Sequence, residues 1–553
     1  MNAGKERAMF SWKEFEKARN ILGEAGRSTY SEALGQHHIA VRPKDLLRWI
    51  ELASEDLGYL VLLDITGIDH VSELNAHRFE LVYHLLNMGS HQRLNFHLHF
   101  SESEIIPSVK RFFSHASWLE REQAEMFCIR FNEELEPLLL TEGQTNFPLR
   151  KNSDVRGWPL QTEKTLPKNR MNPNKSENPY PEESWIWKRF PITAKETLGN
   201  FEWLVCFDPE RVVSSRLEVG YHHQGLEKKL ESMNWMQVLH YIHRIHEGAS
   251  PHYTIAWVKT LEEMMGVRLP ERAQAIRIIM LELSRIAEHL TVIQEISYAL
   301  EKDEHRIFLD LREKVYELFE KYCGHRQGFG VARLGGVKED LPYGWIVEYQ
   351  AVASILLKTL PLVNNRLFAQ NDFRESLGGE GVSAQTILQW GVGGPAMRAA
   401  GVNFDLRKSQ PFYFYNDIDF DIPVGIYGRA YDRYLIRLEE IFQSLRIITQ
   451  VIDNLPLGSI INEQFSGTAA EVIRKMASAT PPLSWHTSSL ETPNGEGGFS
   501  LLAGAGWEIN RVRIKTPGLL LAQALPSLTL GLRENELTAS VASLGLRRSE
   551  IDR

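Results

Sequence analysis

Cys128, Cys206 and Cys323 are the only thiols in 553 residues, and no C-x-x-C spacing occurs anywhere. Thiolates are the natural ligands of soft metals and iron–sulfur clusters, which need several of them at close spacing. The chain therefore carries neither a disulfide framework nor a self-contained cysteine-ligated centre. Imidazole and carboxylate are plentiful instead, with 19 histidines and 71 acidic residues against 62 basic ones, for a net charge of −9. The basic residues are spread along the chain without the block that marks a nucleic-acid footprint, so that class of partner is excluded. The adjacent His222 and His223 are the most conspicuous imidazole pair, and they read as packing against a neighbouring linker.

The elements that must position such groups fall into two styles. The length predicts two or more domains. The first, 1–151, reads as a small α+β unit: GYLVLLDITGI, RFELVYHLL and RLNFHLHF have the β-branched and aromatic content of strands and are separated by turns such as NMGSHQ. SESEIIPSVKRFFSHA follows, with Ser101 or Ser103 as a helix cap. Residues 152–185, rich in Pro, Asn, Lys and Glu, predict a linker. From 186 to 553 the pattern is mainly helical. PERAQAIRIIMLELSRIAEHLTVI, with Pro270 in the first turn, stripes Ala273, Ile276, Met280, Leu283, Ala287 and Leu290 at helical spacing. GRAYDRYLIRLEEIFQSLRIITQVIDNLP stripes Tyr431, Tyr434, Leu438, Ile441 and Leu445 before Pro456. GGFSLLAGAGWEINRVRIKTP predicts a hairpin around Gly504-Ala505-Gly506. The fold class is α+β, with small β segments in the helical domain. The first twenty residues predict an amphipathic helix and not a secretory signal. No apolar run approaches the ~18 residues of a membrane span. The expected place is the cytoplasmic face of the inner (plasma) membrane, peripheral and held there by a partner.

Several stretches carry a family resemblance. EREQAEMFCIRFNEELEPLLLTEGQTNFPLRK, residues 120–151, resembles the end of the 30-kDa-type subunit of complex I, with Glu125 in place of an aspartate and Cys128 in place of a glycine. GYHHQGLEKKLE, LPERAQAIRIIMLELSRIAEHL, RLGGVKEDLP, GGPAMRAAGVNFDLRKSQPFYFY, GRAYDRYLIRLEE and RVRIKTP resemble the 49-kDa-type subunit. That subunit shares its fold with the large subunit of [NiFe] hydrogenases. The fusion is similar to hydrogenase-4-type and formate-hydrogenlyase-type large subunits and to fused complex I subunits.

The resemblance implies where metal chemistry would be. Two C-x-x-C pairs supply the four thiolates of a [NiFe] centre, and their positions fall on His246 and Ala249, and on Arg547 and Glu550. An alanine has no donor atom and a guanidinium no lone pair, so hydrogenase activity is excluded. The sequence also ends at Arg553 without the extension that hydrogenases remove. Complex I, which also lacks these cysteines, uses the site for quinone. Its two turn histidines fall on Ala194 and Leu198 and its tyrosine on Glu247, with Tyr241 and Tyr253 nearby. Two hydrogenase arginines are replaced, by Gln224 ahead of Glu227 and by Asn494 in Pro493-Asn494-Gly495-Glu496.

The resulting candidate cluster is Glu227, His246, Glu247, Arg547 and Glu550. It admits three readings. Arg547 pairs with Glu550 while His246 bonds Glu247 or Glu227, plugging the old cavity; or the set handles protons; or His246, Glu247 and Glu550 hold a replacement metal. The expected role is a peripheral-arm subunit of a complex I-like or hydrogenase-4-like, ion-translocating oxidoreductase. Its partners would be a small iron–sulfur subunit, a ferredoxin-like subunit and antiporter-like membrane subunits. It would bind no cofactor directly, with an iron–sulfur cluster in a partner, quinone possible, and NAD reached only through a partner. A quinone-reducing subunit with a redesigned site and a non-redox scaffold are the alternatives.

Overall fold

The computed structural model describes residues 29–33, 36–70, 77–133, 135–140, 146–153, 185–190, 202–477, 485–504 and 508–553, with a few isolated positions besides. Nearly all of the expected amphipathic start, the arm from 154 to 184, the turn at 194–199 and Ala505 lie outside them. By their contacts the residues form two compact units. One gathers 1–168 with 225–232 and 388–391; the other gathers 169–224, 233–387 and 392–553.

The first unit is built on a five-stranded sheet. Strands β1 (Thr29–Ala33), β2 (Gln36–Ala40), β3 (Val61–Asp69), β4 (Phe79–Leu86) and β5 (Arg93–Phe100) take the order β1-β2-β5-β4-β3. Neighbours are antiparallel except β2 and β5. Every residue of β3 and β4 is buried, whereas β5 exposes His99. Helix α1 (Leu46–Glu55) precedes β3, and α2 (Ala116–Phe127) packs on it. The close approach needs Gly67, whose N–H donates to Gln123 Oε1 at 2.8 Å and where a Cβ would lie 2.8 Å from the Phe127 ring.

Two features of the 120–151 stretch follow from this packing. Cys128 ends α2 in the left-handed region at φ 60°, a conformation glycine adopts without strain and other residues resist. Glu125 accepts the backbone N–H groups of Leu138, Leu139 and Leu140 at 2.8, 2.9 and 3.2 Å, holding the returning loop. Burial nevertheless pushes the Glu125 carboxyl up to about 7. Glu120 accepts from Ser108 Oγ and Val109 N–H, at 2.7 and 2.8 Å, and burial raises it to about 7 as well. The helix expected to start at Ser101 or Ser103 does not form. Ile105–Ile106 pair instead with Arg130–Phe131 as a short parallel ladder, and the helix begins at Ala116. Pro107, with no N–H and a fixed φ, favours the extended course.

In the second unit, β6 (Ile186–Phe190), β7 (Glu202–Asp208) and β8 (Arg211–Glu218) form one antiparallel sheet. The helical body includes α3 (Ser250–Met265), α4 (Glu271–Ala299), α5 (His305–Cys323), α6 (Trp345–Phe368) and α7 (Ala430–Asp453). Pro270 stands one residue ahead of α4, at its N-cap. All six residues of the predicted α4 stripe are buried, but so are Arg277, Glu282, Arg285, Glu288 and His289. The middle of the helix is enclosed on every side, and its buried Arg277, Glu282 and Glu288 are paired within the protein. On α7, Tyr431 is only partly buried while Arg433, Arg437 and Glu440 are buried.

The C-terminal segment is a meander of β9 (Trp485–Thr492), β10 (Gly495–Ala503) and β11 (Ile509–Lys515). The expected hairpin forms between β10 and β11. A second one precedes it, whose two-residue loop is Pro493-Asn494. Helices α8 (Pro517–Thr529), α9 (Glu534–Ala542) and α10 (Arg548–Ile551) close the chain. Among the described residues, α6 alone is long and apolar enough to cross a membrane by length and composition; only 22% of its most apolar stretch is buried.

Candidate functional site

The site is assembled from four places in the second unit. His246 caps a single 3-10 turn, Glu247–Ala249, that leads into α3. Its Nδ1 accepts the Ala249 N–H at 3.0 Å, so the ring proton sits on Nε2. That nitrogen faces Glu288 Oε1 at 3.4 Å. Glu288 comes from the middle of α4. Its Oε1 also accepts from Arg547 Nε at 3.0 Å and from Asn494 Nδ2 at 3.3 Å. Arg547 spans further, its Nη1 donating to both oxygens of Glu295 at 3.1 and 3.0 Å. Glu288 and Glu295 are seven residues apart, two turns along one helix face, which lets one guanidinium engage both.

The late segment is held residue by residue. Arg437 of α7 donates to Ser543 O and Leu544 O, and its Nη1 lies 3.1 Å from His289 Nδ1. Arg433 donates to Ser543 Oγ. Asn494, at the tip of the β9–β10 hairpin, donates to Gly545 O at 3.1 Å. Glu550 on α10 accepts the Tyr253 hydroxyl at 2.6 Å. Two glycines make room for the carboxylates. A Cβ on Gly248 would stand 2.3 Å from Glu288 Oε2, and one on Gly518 would stand 2.6 Å from Glu550 Cβ.

Electrostatics separate the two acids. Burial alone would raise Glu288, but Arg547 and His246 hold it well below the usual carboxylate range. For Glu550 burial dominates and raises the carboxyl, against the opposing His246 and Tyr253 hydroxyl; Glu288 adds to the rise and the more distant Arg547 offsets little of it. Burial pushes His246 down, yet Glu288 and Glu550 outweigh it and hold the imidazole above its ordinary value. Among the described residues, Glu288 Oε2, Glu550 Oε2 and Asn494 Oδ1 are buried and accept no hydrogen bond. Such atoms are costly in a fold unless they serve it.

Behind this cluster lies a buried ionic layer. Arg398 joins Glu440 and Glu491, each at 2.8 Å. Arg407 joins Asp405 and Glu282 at 2.7 and 3.0 Å. His289 Nε2 lies 2.7 Å from Glu440, and burial lowers this imidazole to about 4, so it is neutral near pH 7.

The structure corrects the expected pairing. Arg547 engages Glu288 and Glu295, not Glu550, and His246 faces Glu288, not Glu247 or Glu227. Glu247 is exposed on its turn, which removes it from the buried set and from the proposed ligand trio His246, Glu247 and Glu550. Glu227 is buried, but its contacts place it in the first unit. Ala249 contributes only its N–H. Glu288, Glu295 and the role of Asn494 were not foreseen. Helical spacing gave no signal for them, because Glu288 and Glu295 lie off the apolar stripe of α4 and read as solvated positions.

The fold and site define a class: a two-unit chain whose mainly helical second unit encloses a cluster of nitrogen and oxygen groups with no sulfur among them. Residues 39–158 match the family described as respiratory-chain NADH dehydrogenase, 30 Kd subunit, and residues 304–553 match its 49 Kd subunit. Over nearly its whole length the chain is similar to the C/D subunit of NADH-quinone oxidoreductase from several bacteria. It is 32% identical to that of Bdellovibrio bacteriovorus, covering 95% of this chain and 96% of the relative. It is 30% identical to that of Acidiphilium cryptum, covering 90% and 89%, and 27% identical to that of Nitrosospira multiformis, covering 93% and 90%. The chain belongs to the family of NADH-quinone oxidoreductase C/D subunits, the fused form of the complex I 30- and 49-kDa subunits.

Proposed function

We propose that the chain serves in the peripheral arm of a membrane-anchored NADH–quinone oxidoreductase-like complex, where its buried cluster takes up and releases protons. In this reading a small iron–sulfur partner brings electrons near the cluster, ferredoxin-like and antiporter-like subunits complete the assembly, and NAD is met only by a partner. The complex sits on the cytoplasmic face of the membrane. The chain itself holds neither nickel nor an iron–sulfur cluster, since His246, Ala249, Arg547 and Glu550 offer no sulfur.

The observation that carries the proton reading is the unlike treatment of two neighbouring acids. Glu288 is clamped as a carboxylate by Arg547, while Glu550 is raised and keeps one oxygen without a donor. Groups whose affinities are pushed apart are suited to divide donor and acceptor roles. His246 links the proton to motion. A second proton on Nδ1 removes the side-chain acceptor of the Ala249 N–H, which keeps its backbone bond to His246 O at 3.1 Å, so protonation loosens the 3-10 turn without dismantling it. The test is NADH–quinone turnover in membranes carrying Glu288→Gln with Glu550→Gln and His246→Gln. Loss of at least tenfold in turnover with an intact complex is expected. Unchanged turnover leaves the chain a scaffold.

A quinone reading draws on Tyr253 and His246, two donors of the kind a quinone's carbonyl oxygens require. Both already donate toward carboxylates, so quinone binding would have to break those contacts. Protection of the complex from a quinone-site inhibitor, lost in Tyr253→Phe, would favour it.

A further inference from the structure

Away from this cluster, the first unit carries imidazoles on one face of its sheet. Glu80 of β4 stands directly opposite His99 of β5 in the antiparallel register. It also stands opposite Ile68 of β3. His70, two residues beyond Ile68, points to the same face. Three neighbouring strand ends thus deliver one nitrogen, one carboxylate and one nitrogen to a common point. His70 Nε2 lies 2.7 Å from Glu80 Oε2, and His99 Nε2 lies 3.9 Å from Glu80 Oε1. One ligand atom from each of the three residues fits within 4.8 Å of the others, and among the described residues no other three His, Cys, Asp or Glu side chains do so.

We infer that His70, Glu80 and His99 form a binding site for one zinc-class divalent cation, with water in the fourth place. Two histidines and one carboxylate are a zinc donor set, with bonds of about 2.0–2.2 Å. Ligand atoms on a tetrahedral centre with such bonds are separated by roughly 3.3 Å, and the three ligand atoms, all within 4.8 Å of one another, need to close by only about an ångström to reach it. Small rotations of the His70 and His99 rings, the latter about half exposed, complete the geometry. The carboxylate is already aimed. Its Oε1 is held by His97 Nδ1 at 2.6 Å, and His97 Nε2 meets His38 Nδ1 at 2.8 Å. Supporting shells of this kind orient the ligands of metal sites. The Arg78 guanidinium, next along the chain from this end of β4, is turned to Asp69 at 2.8 Å, which limits its repulsion of a cation. The bound ion would tie β3, β4 and β5 together at one end.

The test is equilibrium dialysis of the chelator-stripped full-length chain against cobalt(II), and then zinc(II) in competition. One equivalent of cobalt with the intense visible bands of four-coordination is expected, displaced by zinc. His99→Ala, at a partly exposed position, is expected to weaken binding by at least about 10- to 100-fold, the range known for loss of merely supporting groups. Glu80→Gln is expected to do the same, and His325→Ala in the other unit to change nothing. No binding below about 100 µM, or equal binding by wild type and His99→Ala, overturns the assignment.

Discussion

At the scale of single residues, the second unit depends on one cation near its C-terminus. Arg547 satisfies Glu288 and Glu295 together. Removing one member of a buried pair leaves an uncompensated charge, which costs about 3–5 kcal/mol. Arg547→Ala is therefore expected to lower unfolding stability by that order in a denaturant titration. Adding Glu288→Gln should recover part of the loss, because it removes the stranded charge.

Titration gives a second residue-scale expectation, and its sign is fixed. Glu120 is raised from 4.5 to about 7 in the folded chain. The native state then holds a proton that the unfolded state has already released. Stability falls as pH rises from 4.5 through 7. Glu120→Gln, which can still donate to Ser108 and accept from Val109, should flatten this decline. Chemical denaturation of the first unit at several pH values measures it. Glu550 and His246 are both raised, and they push the second unit in the same direction. Glu288, held low, contributes stability that is lost only as pH falls below 4.5.

At the scale of elements, helix ends and close approaches carry the strain. Cys128 ends α2 at φ 60°, and Cys128→Gly is expected to stabilise the first unit by up to about 1 kcal/mol. A melting curve at fixed pH reads it. Gly518 opens α8 beneath Glu550. Gly518→Ala forces overpacking against Glu550 Cβ and is expected to cost about 1–3 kcal/mol, with the Tyr253–Glu550 hydrogen bond the first to break. Much of the element pattern was legible. β-Branched and aromatic content gave β3, β4 and β5 of the first sheet but not β1 or β2, and helical spacing gave α4 and α7. What periodicity missed was α4's second face. Arg277, Glu282, Arg285 and Glu288 look like a solvated side in sequence, and only the three-dimensional pairing with Glu262, Arg407 and Arg547 makes them interior. The false helix after Ser101 failed for the opposite reason: local capping chemistry was present, but the β ladder with Arg130–Phe131 took the segment.

At the scale of the whole molecule, charge is organised inward. The pairs of Arg398, Arg407 and Arg277 are buried, and buried pairs are screened little by salt. Raising sodium chloride from about 0.05 to 0.5 M should shift the unfolding midpoint of the second unit only slightly; a steep dependence would contradict this. Of the expected cluster, the structure gathers His246, Arg547 and Glu550, while Glu247 is exposed and Glu227 lies in the other unit. The partners of the three were not legible in the sequence, because Glu288, Glu295 and Asn494 arrive from a distant helix and a hairpin tip. Their convergence is decided by packing and has no sequence spacing of its own.

The hub at Glu288 Oε1 has a consequence for any attempt to install a thiolate centre here by design. Cysteines installed at 246, 249, 547 and 550 would strip that oxygen of its imidazole and guanidinium donors at once, leaving Asn494 as its remaining donor. The fourfold variant would then harbour a poorly compensated anion beside its new sulfurs, with only the more distant charge of Arg437 to oppose it. A viable four-cysteine version therefore needs Glu288 neutralised in the same gene.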